Sequence, residues 1–132
     1  MLVKNRKTIL LTGLSLLLAG MIYGLYMQVY ATSTFSARCI KVIDGNRIIV
    51  WLDGRWFNNR LKIKLYGIQC PDRETSVGQK ARSFVISQIS GNRVDITVVQ
   101  KCFWGWSSAI IHYNGMCLND MLVKNDLACF DH

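Results

Sequence analysis

The 132-residue sequence is poor in several features that define common classes of small protein. It has one proline, Pro71, and no internal repeat or low-complexity segment, so one small domain with an appendage is expected. No two of its five cysteines are spaced as CxxC, and only His112 and His132 could join them, so a zinc site is not expected. In an oxidising compartment one or two disulfides are expected, with the pairing left open among Cys39, Cys70, Cys102, Cys117 and Cys129.

Charged residues are absent from positions 8–31. This apolar run exceeds the roughly 20 residues that cross a bilayer. Because Lys4, Arg6 and Lys7 precede it, residues 1–7 are predicted to be cytoplasmic and 8–31 to form a single-pass anchor in the inner (cytoplasmic) membrane. All later residues then lie on the extracytoplasmic side, periplasmic or outer. The alternative is a signal peptide cleaved near Ala31, which would leave a secreted protein; the length of the run favours the anchor.

Acidic residues are scarce beyond this segment. After Ala31 there are 13 Lys and Arg against 8 Asp and Glu, a net charge of +5. A basic surface suits nucleic acid, anionic lipid head groups or acidic partners. This charge ranks the partner classes without choosing one, and no oligomeric state follows from it.

Alternating polar and apolar residues dominate what remains. Residues 32–37 are predicted to be a polar linker and 38–132 one domain. In the strand that opens the domain, odd and even positions from Cys39 to Ile43 are expected on opposite faces, and RLKIKLYGI alternates in the same way. Helical spacing appears at residues 81–89 and again at 118–122. The order is strand, strand, strand, helix, strand, strand, helix. It predicts an α+β, mainly β fold: a five-stranded Greek-key barrel of the OB type with two short helices, preceded by the transmembrane helix.

Five short blocks of this domain occur in the order of a known family. They are Asp44-Gly45-Asn46-Arg47 against D-G-D-T, residues 64–72 against R-L-x-G-I-D-x-P-E, Gly78 to Ala81 against G-x-x-A, Trp104-Gly105-Trp106 against Y-G-R, and a closing pattern from Gly115 to Ala128. Together they resemble the thermonuclease (staphylococcal-nuclease-like) family over about residues 38–130. The resemblance implies an OB barrel and calcium-dependent cleavage of DNA and RNA.

The resemblance also implies which positions correspond to the family's site. Its two calcium-binding Asp residues fall on Asn46 and Gln69, its Glu on Asp72, its two Arg residues on Lys64 and Trp106, and a carbonyl ligand on Cys70. The two amides keep an oxygen but lose the charge on which calcium affinity depends. Asp72 is one methylene short, Lys64 lacks the bidentate fork, and Trp106 has no charge. We therefore expect no bound metal or other cofactor and assign no catalytic residue.

Three functions remain open on these residues. The first is an inactive barrel that serves as an interaction or structural module, with protein partners in an envelope-associated complex and an apolar patch at 103–106. The second is a single-stranded nucleic-acid-binding module, in which Lys62, Lys64, Trp104 and Trp106 are the binding candidates and Trp51, Trp56, Phe57 and Phe103 are further stacking candidates. The third is a membrane-tethered, calcium-dependent nuclease with residual activity. The competing view is a relocated metal site at Asp44, Asp72 or Glu74, against which Asp44 is expected to shape its turn and Glu74 to lie exposed near a helix start.

Overall fold

The computed structural model describes residues 2–31, 34–102 and 105–131. The chain divides into two units, Met1–Thr32 and Ser33–His132. The first unit is a single helix, α1 (Leu2–Ala31). Within it, Arg6–Leu25 is long and apolar enough to cross a membrane.

The second unit is built mainly from strands. Its described residues form β1 (Thr34–Asp44), β2 (Arg47–Trp51), β3 (Arg60–Leu65), β4 (Ile68–Gln69), α2 (Ser76–Ile89), β5 (Arg93–Gln100), β6 (Ser107–Tyr113), β7 (Met116–Cys117), α3 (Leu118–Lys124) and β8 (Cys129–Phe130). The predicted order of long strands and helices is confirmed. The additional β4, β7 and β8 have two residues each, too few to show an alternation.

The five long strands close into a barrel. Antiparallel pairs join β3 to β2, β2 to β1, β1 to β5 and β5 to β6, and a parallel pair between β3 and β6 closes the ring. The architecture is α+β and consistent with an OB-like fold. Two short strands, β4 and β8, pair outside the barrel.

The barrel core follows from the alternation of β3. Ile63 and Leu65 are buried, whereas Lys62 and Lys64 point to solvent, as predicted. The core includes Cys39, which is fully buried. All five cysteines are free thiols, so the expected disulfides are not formed.

The start of β1 corrects the predicted linker. The linker at 32–37 is wrong from Thr34 onward, because Thr34–Arg38 pairs with β5. Ala37 is buried, while Thr34 and Ser36 face solvent. The segment Thr34–Ala37 consists mostly of small or polar residues, a composition that linkers share. Only its pairing with β5 identifies it as part of a strand.

The predicted faces of β1 are also wrong. Cys39 and Val42 are both buried, and Ile40 is 40% exposed. The pairing with β2 shifts register between Cys39 and Lys41 and again between Val42 and Asp44. Such irregularities insert a residue and reverse the alternation beyond it.

The two helices of the second unit pack against strands of the barrel. In α2, Gly78, Ala81, Val85 and Ile89 are buried at helical spacing, and the helix contacts β1. In α3, the buried Asn119 donates to the Tyr66 and Ala109 carbonyls at 2.9 and 3.3 Å and accepts from the Ile111 amide at 3.1 Å. Asn119 thereby holds α3 against β6 and against the turn that leads into β4.

Candidate functional site

One cleft gathers the predicted site positions. We use "the cleft" for the opening between the β1–β2 turn, β3, the segment from β4 to α2, and Trp106. Its lining comprises Asp44, Asn46, Arg47, Lys64, Gln69, Cys70, Pro71, Asp72, Arg73, Glu74, Thr75 and Trp106. All six positions inferred from the resemblance are therefore neighbours. Trp104 and Phe103 lie outside the described residues, and Trp106 is half-buried.

The β1–β2 turn forms one wall of the cleft. The Asp44 carboxylate accepts the Asn46 backbone N–H at 3.1 Å through Oδ1, which confirms that Asp44 shapes its own turn. A Cβ at Gly45 would lie 2.7 Å from Ala81 Cβ and 2.9 Å from Cys70 Sγ. Glycine at this position therefore lets the turn pack directly against α2 and the opposite wall.

The opposite wall is the segment that leads into α2. Thr75, the N-cap of α2, donates to the Asp72 carbonyl from its backbone N–H at 3.0 Å and from Oγ1 at 2.7 Å. A Cβ at Gly78 would overlap that carbonyl oxygen. The backbone of Asp72 is thus fixed on the first turn of α2, while its side chain is exposed.

Arg47 is the residue that the sequence interpretation missed. Its Nε and Nη2 donate to Asp44 Oδ2 at 2.7 and 2.5 Å. Its Cζ lies 5.6 Å from the Trp106 ring centroid, and Lys62 Nζ lies 5.8 Å from the same centroid. A guanidinium therefore lies beside the Trp106 ring, and it is already paired with Asp44. The i, i+3 spacing of Asp44 and Arg47 across a predicted turn was the available signal.

The charges lining the cleft balance one another. Its carboxylates belong to Asp44, Asp72 and Glu74, and its cations belong to Arg47, Lys64 and Arg73. Asp44 is 7% exposed, and its Oδ2 is bonded to Arg47. A cleft without excess charge of either sign does not concentrate cations or polyanions.

The thiol of Cys70 adds no reactive group to the cleft. Burial, followed by the nearby Asp44 and Cys129, raises the pKa of Cys70 to about 11. The thiol stays protonated near neutral pH, and a thiol is a weak nucleophile and a poor metal ligand. Cys70 therefore acts as a packing residue against Gly45.

The donor set does not fit calcium. Asn46 and Gln69 supply neutral amides, and both oxygens of Asp44 are engaged by the turn and by Arg47. Calcium takes six to eight oxygens, and its affinity rises with the number of charged ligands. Within 2–31, 34–102 and 105–131, no three His, Cys, Asp or Glu side chains are grouped to hold a metal ion.

Comparisons with known proteins add no constraint on this cleft. No protein-family model matches the sequence, and no curated protein matches it. Function therefore has to be inferred from the residues of the cleft and from the surface of the barrel.

Proposed function

We propose that the chain is a membrane-anchored, thermonuclease-like barrel that does not hydrolyse phosphodiesters and acts as an interaction module for a protein partner in an envelope-associated complex. The observation that carries the proposal is the pairing of the buried Asp44 with Arg47 inside the cleft. It neutralises the one carboxylate of the cleft that is buried and the one guanidinium that faces Trp106.

Phosphodiester cleavage needs charge that this cleft does not have available. Catalysis of phosphoryl transfer depends on cations placed around the developing negative charge. Arg47 is bonded to Asp44, and Lys64 is a single point charge without a fork. Arg73 is exposed to solvent, where water screens its charge. Asp72 and Glu74 are exposed, where water screens them. The geometry therefore supports binding better than it supports hydrolysis.

A protein segment fits the chemistry of the cleft. The walls place cations and carboxylates side by side around the half-buried Trp106. Tryptophan and arginine are enriched among the residues that contribute most to protein interfaces. Paired charges at such a surface select a partner of matching pattern rather than any polyanion.

The hydrolytic alternative is tested on the full chain in detergent micelles. Labelled single- and double-stranded DNA are incubated with calcium, magnesium or manganese, and products are resolved by electrophoresis. The proposal predicts no metal-dependent cleavage. Cleavage that requires metal and disappears in Asp72→Ala would establish the tethered nuclease instead.

The interaction itself is tested by site-specific crosslinking in native membranes. A photoreactive residue at Gln69 in the cleft should crosslink one protein, whereas the same residue at Asn114 in the exposed β6–β7 turn should not. Lys64→Glu should weaken the crosslink at 69, and Lys124→Glu, an equal charge reversal on α3, should leave it unchanged. Equal crosslinking from 69 and 114 would contradict a cleft-specific partner.

Single-strand binding is the second candidate, because one observation favours it. Lys62 lies beside the Trp106 ring, and Lys64 lines the same cleft as Trp106, so three of the four predicted binding residues are neighbours. Stacking of a base on the ring with phosphates on the lysines is a common mode. This candidate predicts that oligonucleotide binding, followed by fluorescence anisotropy, weakens steeply with salt and is lost in Trp106→Ala. No binding at low salt would remove it.

A further inference from the structure

The loop between β2 and β3 exposes two adjacent aromatic side chains. Trp56 is 95% exposed and Phe57 is 74% exposed, and their ring centroids lie 6.0 Å apart. The next most exposed large apolar side chain in the described part of the second unit is Phe130, at 57%. An aromatic pair held away from the core gives the barrel no packing energy, so its exposure points to an external contact. We use "the β2–β3 loop" for residues 52–60, that is, the connection after Trp51 together with Arg60, the first residue of β3.

The surface around this pair is basic. A groove beside Phe57 is lined by Arg55, Arg60, Lys62 and Lys101 and by no acidic residue. The acidic residue of the loop, Asp53, is paired with Arg93, its Oδ2 lying 2.6 Å from Nη2. The loop therefore presents aromatic rings beside the basic side chains of Arg55 and Arg60.

The strand register places this loop at the end of the barrel where β1 begins. Arg38 of β1 lies opposite Trp51, the last residue of β2. Because β1 and β2 are antiparallel, β2 ends beside the first half of β1. The chain that leaves Trp51 therefore emerges at the end of the barrel where β1 begins, near Thr34. The β1–β2 turn and the cleft consequently lie at the other end of β1.

Two residues separate the end of α1 at Ala31 from the start of β1 at Thr34 along the chain. β1 is thus the first barrel strand after α1 in sequence, and the β2–β3 loop lies at the end of the barrel where that strand begins.

We propose that the β2–β3 loop is a second membrane contact, in which Trp56 and Phe57 enter the headgroup region of the bilayer spanned by α1 while Arg55 and Arg60 bind phosphates of anionic lipids. Aromatic rings are favoured at the headgroup level. Basic side chains near an anionic surface are attracted to it. The inference rests on α1 as an anchor, which resistance of the protein to alkaline carbonate extraction tests separately.

Lipid-dependent fluorescence quenching tests the contact on the full chain. Residues 1–31 contain no tryptophan, so quenching of tryptophan by brominated lipids reports on the barrel alone. The protein is reconstituted into phosphatidylcholine vesicles with and without phosphatidylglycerol, with brominated chains in either case. We expect quenching that increases with phosphatidylglycerol, is mostly lost in Trp56→Phe and persists in Trp106→Phe.

Charge variants separate the lipid contact from other causes. Arg55→Gln with Arg60→Gln should abolish the increase with phosphatidylglycerol, whereas Lys41→Gln with Lys124→Gln, the same loss of charge at exposed sites outside the loop, should preserve it. Quenching that is equal in the native chain and in Trp56→Phe would overturn the proposal. Displacement of Trp56 from lipid by a single-stranded oligonucleotide would also overturn it, because the loop would then be a nucleic-acid contact.

Discussion

The two ends of β1 carry opposite kinds of surface. At the cleft end, charge is buried and paired: Asp44 is bonded to Arg47 and to its own turn. At the end of the β2–β3 loop, aromatic and basic side chains are exposed, and the ion pair of Asp53 with Arg93 is open to solvent. The same barrel thus holds one region where a buried carboxylate is paired and the backbone is closely packed, and another where two aromatic side chains are mostly exposed.

This difference separates residues that maintain the fold from residues that serve contacts. In the cleft, the backbone of the turn and of the segment before α2 touches neighbouring elements, so substitutions at Gly45 and Gly78 act on stability, whereas exposed side chains of the cleft such as Lys64 stay open to a partner. In the β2–β3 loop the aromatic side chains touch little of the barrel, so substitutions there should act on binding alone. Four predictions follow this contrast from the largest expected effect to the smallest.

The largest effect is expected at Gly78. A Cβ would overlap the Asp72 carbonyl, and backbone cannot yield as a side-chain tip can, so Gly78→Ala should lower the free energy of unfolding by about 3 kcal/mol. Gly54, in the β2–β3 loop, has a φ of +79° but open space around it, so Gly54→Ala should cost only about 1 kcal/mol. Urea unfolding of the full chain in detergent, followed by tryptophan fluorescence, compares them. Equal costs would contradict the packed geometry of the cleft.

Removing the ion pair of the cleft should lower the free energy of unfolding more than removing the ion pair of the β2–β3 loop. In the cleft pair the side chains of Arg47 and Asp44 are 41% and 10% exposed, whereas those of Arg93 and Asp53 are 51% and 56% exposed. Asp44→Asn should lower the free energy of unfolding by about 2 kcal/mol, because it removes a partly buried charge pair, and Asp53→Asn by less than about 0.5 kcal/mol. The same urea titration measures both. A larger loss for Asp53→Asn would show that the cleft pair is not structural.

The thiol of Cys70 in the cleft should be alkylated more slowly than the thiol of Cys102 in the basic groove. Because the pKa of Cys70 is raised to about 11, its thiolate fraction increases about tenfold per pH unit from neutral pH up to that value. Cys102, which lines the basic groove and is exposed, should be alkylated by iodoacetamide at pH 7.5. At that pH Cys70 should remain largely unmodified, its rate increasing with pH. Peptide mapping by mass spectrometry follows each site, and fast modification of Cys70 at pH 7.5 would refute its protected state.

The smallest effect on stability is expected at the exposed aromatic pair. Trp56→Ser and Phe57→Ser should change the free energy of unfolding by less than about 0.5 kcal/mol, since neither ring is buried. The fully buried Ile48 is the matched control, and Ile48→Ala should cost about 3 kcal/mol. Destabilisation by the loop variants comparable to that of Ile48→Ala would mean that the rings pack on the barrel rather than on a partner.

The strands could be predicted because each has one buried face. Alternation in β3 placed Ile63 and Leu65 inside and Lys62 and Lys64 outside, as observed. It failed in β1, where register shifts put Ile40 outside, because an irregularity leaves no mark in the polarity pattern. It also failed at Thr34–Ala37, whose pairing with β5 is a contact between residues distant in sequence.

The sequence brought the cleft-lining positions together but did not indicate how their side chains pair. The turn at 44–47 and the segment at 69–72 do lie in one cleft with Lys64 and Trp106, but the contact of Arg47 with Trp106 joins positions 59 residues apart that no local pattern connects. The β2–β3 loop has no periodicity at all, so the sequence identified Trp56 and Phe57 as aromatic candidates without indicating their exposure.

The central claim is that the neutral side chains of Asn46 and Gln69 prevent the cleft from binding calcium. Calcium titration calorimetry on the full chain tests it most directly. The native protein should show no binding at millimolar calcium, while Asn46→Asp combined with Gln69→Asp should bind with a Kd of roughly millimolar or tighter, because two charged ligands then face the same opening. Calcium binding by the native chain that is as tight as binding by the double variant would contradict the account.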